Sequence, residues 1–178
     1  LGYFSAFQMV YPFESAAFNT GLGSVSDPIR TRFGYHIIYV KDKRPARGEI
    51  RAAHIMVKVE NADDQEEVNL AEKKTNELYQ QLSEGADFEN LAKEFSDDKG
   101  SARDGDELPW FGTGRMVPAF ENAAFSLEND GDFSKPIRSR FGWHIIKRLE
   151  VRKTPEFDAI KEELKKKDEL LRERESEI

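Results

Sequence analysis

The side chains in this chain whose ordinary proton exchange falls near neutral pH are three histidines, His36, His54 and His144, set among many carboxylates. There is no cysteine, so thiol catalysis, disulfides and Cys-ligated zinc are excluded. No two histidines stand at the close spacing of a metal motif, and neither a metal nor a cofactor is expected. Two of the histidines share a context: His36 closes the run PIRTRFGYH from Pro28, and His144 closes PIRSRFGWH from Pro136. His54 has a different setting, the alternating run from Glu49 to Val59, where a lone histidine is more often a satisfied core residue than a reagent.

The shared context extends well beyond the histidines. LGYFSAFQMVYPFESAAF opens the chain and LPWFGTGRMVPAFENAAF begins at Leu108. The spacing between copies is constant from Leu1/Leu108 to Phe18/Phe125 and one residue longer from Pro28/Pro136 to His36/His144, as expected for two copies of one domain with a single slipped loop residue. The second copy has further sequence upstream of Leu108, whereas the first starts in its middle. Part of copy one is therefore expected to be missing, and the chain, beginning at Leu1, is read as an excised or processed piece of a longer protein. The expected division is a partial repeat over 1–44, a whole domain over 48–150 and a charged helical tail over 151–178.

The elements that must position these groups follow from periodicity. Alternation over Ile50–Val57 predicts a strand. Val68, Ala71, Thr75, Leu78 and Leu82 recur at threes and fours, predicting a helix over Glu66–Leu82 that Gly85 ends. Asp87 is placed to cap a second helix bearing Phe88, Leu91, Ala92 and Phe95. A polar loop over Ser96–Glu107 precedes a small strand at Pro109–Phe111, a short helix over Val117–Phe125, and two strands, Ser134–Arg138 and Trp143–Leu149, joined around Gly142. The fold class is α+β, a small sheet of about four strands with helices packed on it. In the tail, Thr154 and Pro155 suit a helix start, and Phe157, Ile160, Leu164, Leu171 and Ile178 form a stripe too narrow to hold the helix down alone.

Composition limits the function classes. The chain has 178 residues, 38% hydrophobic with thirteen Phe, and 34% charged, which describes a folded globule with a wet surface. A net charge of −7 disfavours binding to nucleic acid or anionic lipid. Apolar runs fall far short of a membrane span, so no membrane insertion is expected, and no signal-peptide pattern opens the chain.

Five motifs in order carry a family resemblance: Ala53–Met56; Glu94–Asp98 followed by Gly100–Ala102; Gly105–Leu108; Met116–Glu121; and Phe141–Ile146. Over 48–150 the chain resembles the parvulin peptidyl-prolyl cis/trans isomerases, which have an FKBP-like fold, and residues 1–41 are similar to the second half of another such domain. The tandem arrangement is similar to that of envelope foldase-chaperones of Gram-negative bacteria. The resemblance implies a proline cup at Leu108, Met116 and Phe120, with Phe111 nearby and Phe141 at the rim. It implies a polar centre of His54, His144, Asp98 and Ser139, the two histidines as a hydrogen-bonded pair, Asp98 tuning it and Ser139 supporting it. Asp98 stands where some parvulins have cysteine, so covalent thiol chemistry is not available here. Phosphate-directed members carry a basic cluster after the first strand; here that loop reads ENADDQEE from Glu60, so phospho-specificity is not expected.

The implied chemistry is rotation about an X–Pro amide, whose barrier of about 18–20 kcal/mol comes from lost C–N conjugation. A catalyst need only prefer the twisted amide over the planar ones. Two readings stand: an isomerase acting on unfolded or proline-containing polypeptide, or a chaperone module that holds extended segments with little isomerisation. A third possibility concerns copy one alone, as a spacer or a self-association element whose open sheet edge another chain would complete. Family inference places the parent protein in the periplasm or cell envelope.

Overall fold

The computed structural model describes residues 1–98, 107–155 and 157–176. The motif residues Gly100–Ala102 and Gly105–Asp106 lie outside them, and of the stripe expected along the tail only Leu164 has a described side chain. The chain forms two compact units, Tyr3–Ala46 together with the tail from Thr154, and Arg47–Lys153.

In the first unit, α1 (Tyr11–Asn19) opens with Pro12, which costs the helix nothing where backbone N–H groups have no intrahelical partner. It packs on β1 (Ile29–Thr31), which pairs antiparallel with β2 (Gly34–His36). Beyond β2 the chain still pairs backward, with Ser26 N–H donating to Ile38 O at 2.8 Å and Val40 N–H to Ser24 O at 3.1 Å. Phe33, Tyr35, Ile37 and Tyr39 are exposed, whereas Ile145, the residue in the place of Ile37 in the second copy, is fully buried. The tail helix α5 (Phe157–Ser176) belongs to this unit, with the Lys167 ammonium 5.1 Å from the Phe7 ring centroid.

The second unit is built on β3 (Glu49–Lys58). It pairs antiparallel with β5 (Gly142–Arg152), which pairs on its far side with β4 (Ile137–Ser139). A fourth sheet position, expected as a small strand at Pro109–Phe111, is filled by isolated bridges on the free edge of β3. There Leu108 N–H donates to Ala52 O, and Ile50 and Phe111 exchange both backbone bonds at 2.9 and 3.0 Å.

Alternation along β3 splits its side chains between two cores. Ala53, Ile55, Val57 and Val59 face α2 (Gln65–Ser83) and α3 (Phe88–Phe95), meeting the buried stripe Val68, Ala71, Leu78 and Leu82. Ile50 and Ala52 face the other way, onto Phe111, and onto Phe120 and Ala124 of α4 (Pro118–Ser126). Each fully buried aliphatic side chain contributes about 1.5–3 kcal/mol of apolar transfer, so β3 is pinned from both faces. Asp64 caps α2 by accepting from Glu66 N and Glu67 N at 2.9 and 3.1 Å, and Asp87 caps α3 through Asn90 N at 2.9 Å.

One difference from the expected elements has a local cause. The strand expected over Ser134–Arg138 begins at Ile137, because Pro136 has no N–H to give the ladder. Ser134 nonetheless follows the edge of β5, its N–H donating to Ile146 O at 2.8 Å and its Oγ accepting from Ile146 N at 3.0 Å. The turn into β5 requires Gly142: its φ is +136°, and a Cβ there would stand 2.2 Å from the Val57 carbonyl oxygen.

Candidate active site

β3 and β5 set the two histidines two register positions apart. His144 lies opposite Met56, and His54 opposite Ile146, so both rings project from the same face of the sheet as diagonal neighbours. Their Nδ1 atoms are 3.4 Å apart and the rings are 13° from parallel. Both residues are buried.

Each ring has a second partner at its far nitrogen. Asp98 Oδ2 lies 3.0 Å from His54 Nε2, and Ser139 Oγ lies 2.7 Å from His144 Nε2. Ser139 Oγ also accepts the Phe141 N–H at 3.0 Å. The result is one continuous chain, Asp98, His54, His144, Ser139, joining the loop after α3 to the turn between β4 and β5.

With Asp98 ionised and each imidazole carrying a single hydrogen, the direction of every proton in that chain is determined. A carboxylate only accepts, so His54 Nε2 carries the hydrogen and its Nδ1 is the acceptor. His144 must then donate from Nδ1, which leaves its Nε2 to accept the Ser139 hydroxyl hydrogen. Burial, and next the neighbouring His54, hold the pKa of His144 down to about 4, while Asp98 pulls it the other way. His144 is accordingly a neutral imidazole at neutral pH, as the proton order requires.

Asp98 is held in reach by residues to which the sequence reading assigned no role. The loop leaving α3 lies along β3: Met56 N–H donates to Ser96 Oγ at 3.1 Å, Asp97 N–H to Met56 O at 2.8 Å, and Lys58 N–H to Asp97 Oδ2 at 3.0 Å. Ser96 is fully buried. Short polar side chains next to a helix end signal such side-chain-to-backbone bonding, but which strand they bind is a tertiary fact.

The apolar side of the site rests on Phe120. Its ring meets His54 at 5.4 Å and 80° and His144 at 5.6 Å and 88°, edge-on to both imidazoles. Leu108 and Met116 are half-buried members of the same cluster. Phe111 is also in it, its ring centroid 6.0 Å from that of Phe120, and both rings are buried. Phe141 stands apart, 47% exposed on the β4–β5 turn with the Arg140 guanidinium 4.7 Å from its ring centroid. The turn before α4, which carries Met116, is tied down by Glu121, a buried carboxylate accepting the Gly114 N–H at 2.7 Å. Glu121 lies within the Met116–Glu121 motif, and only its burial reveals what it does. Among the described residues no group of three or more His, Asp or Glu could hold a metal ion.

Copy one repeats part of this arrangement. Thr31 Oγ1 is 2.7 Å from His36 Nε2 and accepts the Phe33 N–H at 3.1 Å, as Ser139 does for His144 and Phe141. Phe13 meets His36 at 5.5 Å and 90°. The hydroxyl, imidazole and phenyl thus form a local substructure specified by the repeated segment itself.

Residues 42–152 match the family model described as the PPIC-type PPIase domain, and residues 1–42 match a second model of that description. The chain is 35% identical over 167 residues to the chaperone SurA of Pseudomonas aeruginosa, an alignment covering 92% of this chain and 39% of that protein. It is 40% identical over 153 residues to the chaperone SurA of Chromohalobacter salexigens, covering 80% and 34% respectively. Among solved structures, a peptidylprolyl isomerase (PrsA) from Bacillus cereus superposes with a TM-score of 0.55 at 36% identity, covering 72% of this chain and 43% of that one. The chain spans well under half the length of the curated relatives it matches.

Proposed function

Because the chain belongs to the PPIC-type, or parvulin, peptidyl-prolyl isomerase family, we propose that its second repeat, over 48–150, catalyses cis/trans isomerisation of X–Pro bonds in unfolded polypeptide. The observation that carries the reading is the directed chain Asp98, His54, His144 and Ser139 lying edge-on to Phe120, beside half-buried Leu108 and Met116.

The geometry suits a reaction that breaks no bond to the substrate. A prolyl ring seated against Leu108, Met116 and Phe120 is held while the amide rotates, and Phe141 is exposed where a neighbouring substrate residue would pass. Twisting localises the nitrogen lone pair and alters the carbonyl dipole. Polar groups fixed in advance favour that state without reorganising. Imidazoles held in a directed hydrogen-bond chain form such a preset floor; they neither attack the substrate nor give up a proton. His54, His144, Asp98 and Ser139 act together, and Ser96, Asp97 and Glu121 hold the loops around them.

The acidic loop after β3 supports a preference for unphosphorylated substrates: the Glu67 carboxylate turns back to accept the Glu60 and Asn61 N–H groups and adds negative charge there. The relatives named chaperone, and the family resemblance, support a role in folding of proteins in the periplasm or cell envelope. We read 1–44 as part of a first repeat and 151–178 as a helical tail. The exposed row Phe33, Tyr35, Ile37 and Tyr39 favours a second activity for copy one, binding of extended apolar polypeptide without isomerisation, or self-association through the same row.

A protease-coupled assay on a short unphosphorylated X–Pro peptide tests the reading. Acceleration that falls in both His54→Ala and Met116→Ala, with circular dichroism unchanged, supports it. No acceleration by the folded chain, alongside retained binding of unfolded protein, replaces it with the chaperone reading.

A further inference from the structure

Further along α4 from Phe120, the helix borders an open cavity of about 330 Å³ with a composition unlike that of the cup. Phe125 and Val151 supply apolar surface, and Arg47, Arg148 and Lys153 bring three cations to it, in a chain whose net charge is −7.

Two of these cations are held in place. Arg47 donates to Asn122 Oδ1 at 3.0 Å, its guanidinium 5.6 Å from the Phe125 ring centroid. Arg148 donates through Nε to Asp130 at 2.7 Å and through Nη1 to the Leu127 and Glu128 carbonyls, each at 2.8 Å. Arg148 therefore has a counter-ion, whereas neither Arg47 nor Lys153 has an acidic partner within ion-pair distance among the described residues. Backbone geometry brings together the segments that carry these two. Gly48 has φ +81°, and a Cβ on it would stand 2.0 Å from the Arg152 carbonyl oxygen, so only glycine lets the chain entering β3 meet the chain leaving β5 this closely.

A cavity with an apolar floor and two cations that have no counter-ion among the described residues selects its ligand from both sides. A bare inorganic anion would leave the floor wet, and a neutral apolar segment would cover the cations without pairing them, which costs free energy. A carboxylate next to an apolar side chain answers both, through charge-assisted bonds to Arg47 and Lys153 and contact with Phe125 and Val151. We infer that this cavity is a second polypeptide-binding site, separate from the proline cup, that takes an apolar residue adjacent to a carboxylate. The carboxylate comes from an acidic side chain or from a chain end. The inference rests on the reading above that polypeptide is the ligand of this domain.

The test uses proline-free fluorescent peptides, so that it does not depend on isomerisation. Three peptides are compared by anisotropy at low ionic strength with the whole chain: one ending Asp-Phe-amide, one ending Asn-Phe-amide, and one ending Asn-Phe with a free carboxylate. A carboxylate peptide is expected to bind roughly tenfold more tightly than the neutral one, the scale of one charge-assisted hydrogen bond. Which of the two does so identifies the source. In Arg47→Glu/Lys153→Glu the preference should invert toward a Lys-Phe-amide peptide, while turnover of a neutral X–Pro substrate is unchanged. Equal binding of all three peptides, or a preference that survives charge reversal, overturns the site. Should the double variant fail to fold, the same preference in the unaltered chain must collapse between low salt and about 0.5 M salt; a salt-independent preference overturns it as well. Loss of isomerase activity with the carboxylate preference intact would count against the proposed enzyme and not against this cavity.

Discussion

His54 and His144 meet through their Nδ1 atoms, 3.4 Å apart, from adjacent antiparallel strands whose partner residues are Ile146 and Met56. The rings could not keep that contact if one strand slipped by a residue against the other, since one of them would then face the opposite side of the sheet. Registry is fixed at one end by Gly142 against Val57 and along the strand by the two cores that β3 buries. The polar centre is thus a consequence of sheet register, and its failure modes follow from that.

Gly142→Ala should lower stability by at least about 3 kcal/mol, combining a left-handed backbone with a carbonyl 2.2 Å from the new Cβ. Urea denaturation monitored by Trp fluorescence measures it. Gly131→Ala, also at positive φ but with nothing within 4 Å of the added atom, should cost distinctly less.

The proton order separates two substitutions at Asp98. Asn retains an oxygen that accepts from His54 Nε2–H, so Asp98→Asn keeps the order and loses only charge. Asp98→Ala removes the acceptor and leaves a buried donor unpaired, and should slow isomerisation roughly tenfold, with the smaller loss in Asp98→Asn. Equal losses in kcat/KM for the two variants would show that the hydrogen-bond direction is unimportant.

Stability should depend on pH through His144. Its folded pKa of about 4 lies below the ordinary 6.5, so between those values the unfolded chain binds the proton that the folded one refuses. The contribution is fully present above about pH 6.5 and is lost as pH falls toward 4, amounting to about 3 kcal/mol at most. Denaturant midpoints of the unaltered chain should drop across that window, and His144→Gln should flatten the drop.

Met116→Ala should act on substrate and barely on the fold. Met116 is half-buried at the edge of its cluster, so unfolding free energy should change by about 1 kcal/mol or less while KM rises. Ile146→Ala, in the fully buried part of the same core, should instead cost about 2–5 kcal/mol.

Much of this is legible in the sequence. Spacing marks the stripe of α2, the cap Asp87 follows from residue type and position, and the repeat draws attention to His36 and His144, whereas the Asp64 cap of α2 is seen only in the structure. Less legible were features that depend on a second element arriving from far along the chain. Ser96 and Asp97 read as loop polars because their partners, Met56 and Lys58, are some forty residues away. Phe111 reads only as an aromatic near the cup, because its backbone partner on the edge of β3, Ile50, is some sixty residues away. Glu121 carried no signal apart from its motif, because a carboxylate on a short helix reads as surface until the Gly114 N–H is found beside it.

The central claim is that the second repeat rotates X–Pro bonds through the His54-centred site. Exchange NMR on an unphosphorylated proline peptide measures this rotation directly, with no coupling enzyme, from broadening and cross-peaks between cis and trans resonances. Catalytic amounts of the chain should bring exchange from the uncatalysed scale of tens to hundreds of seconds into the range of the experiment, and His54→Ala should remove most of that effect while remaining folded. Unchanged resonances with the unaltered chain, or equal exchange with folded His54→Ala, would contradict it.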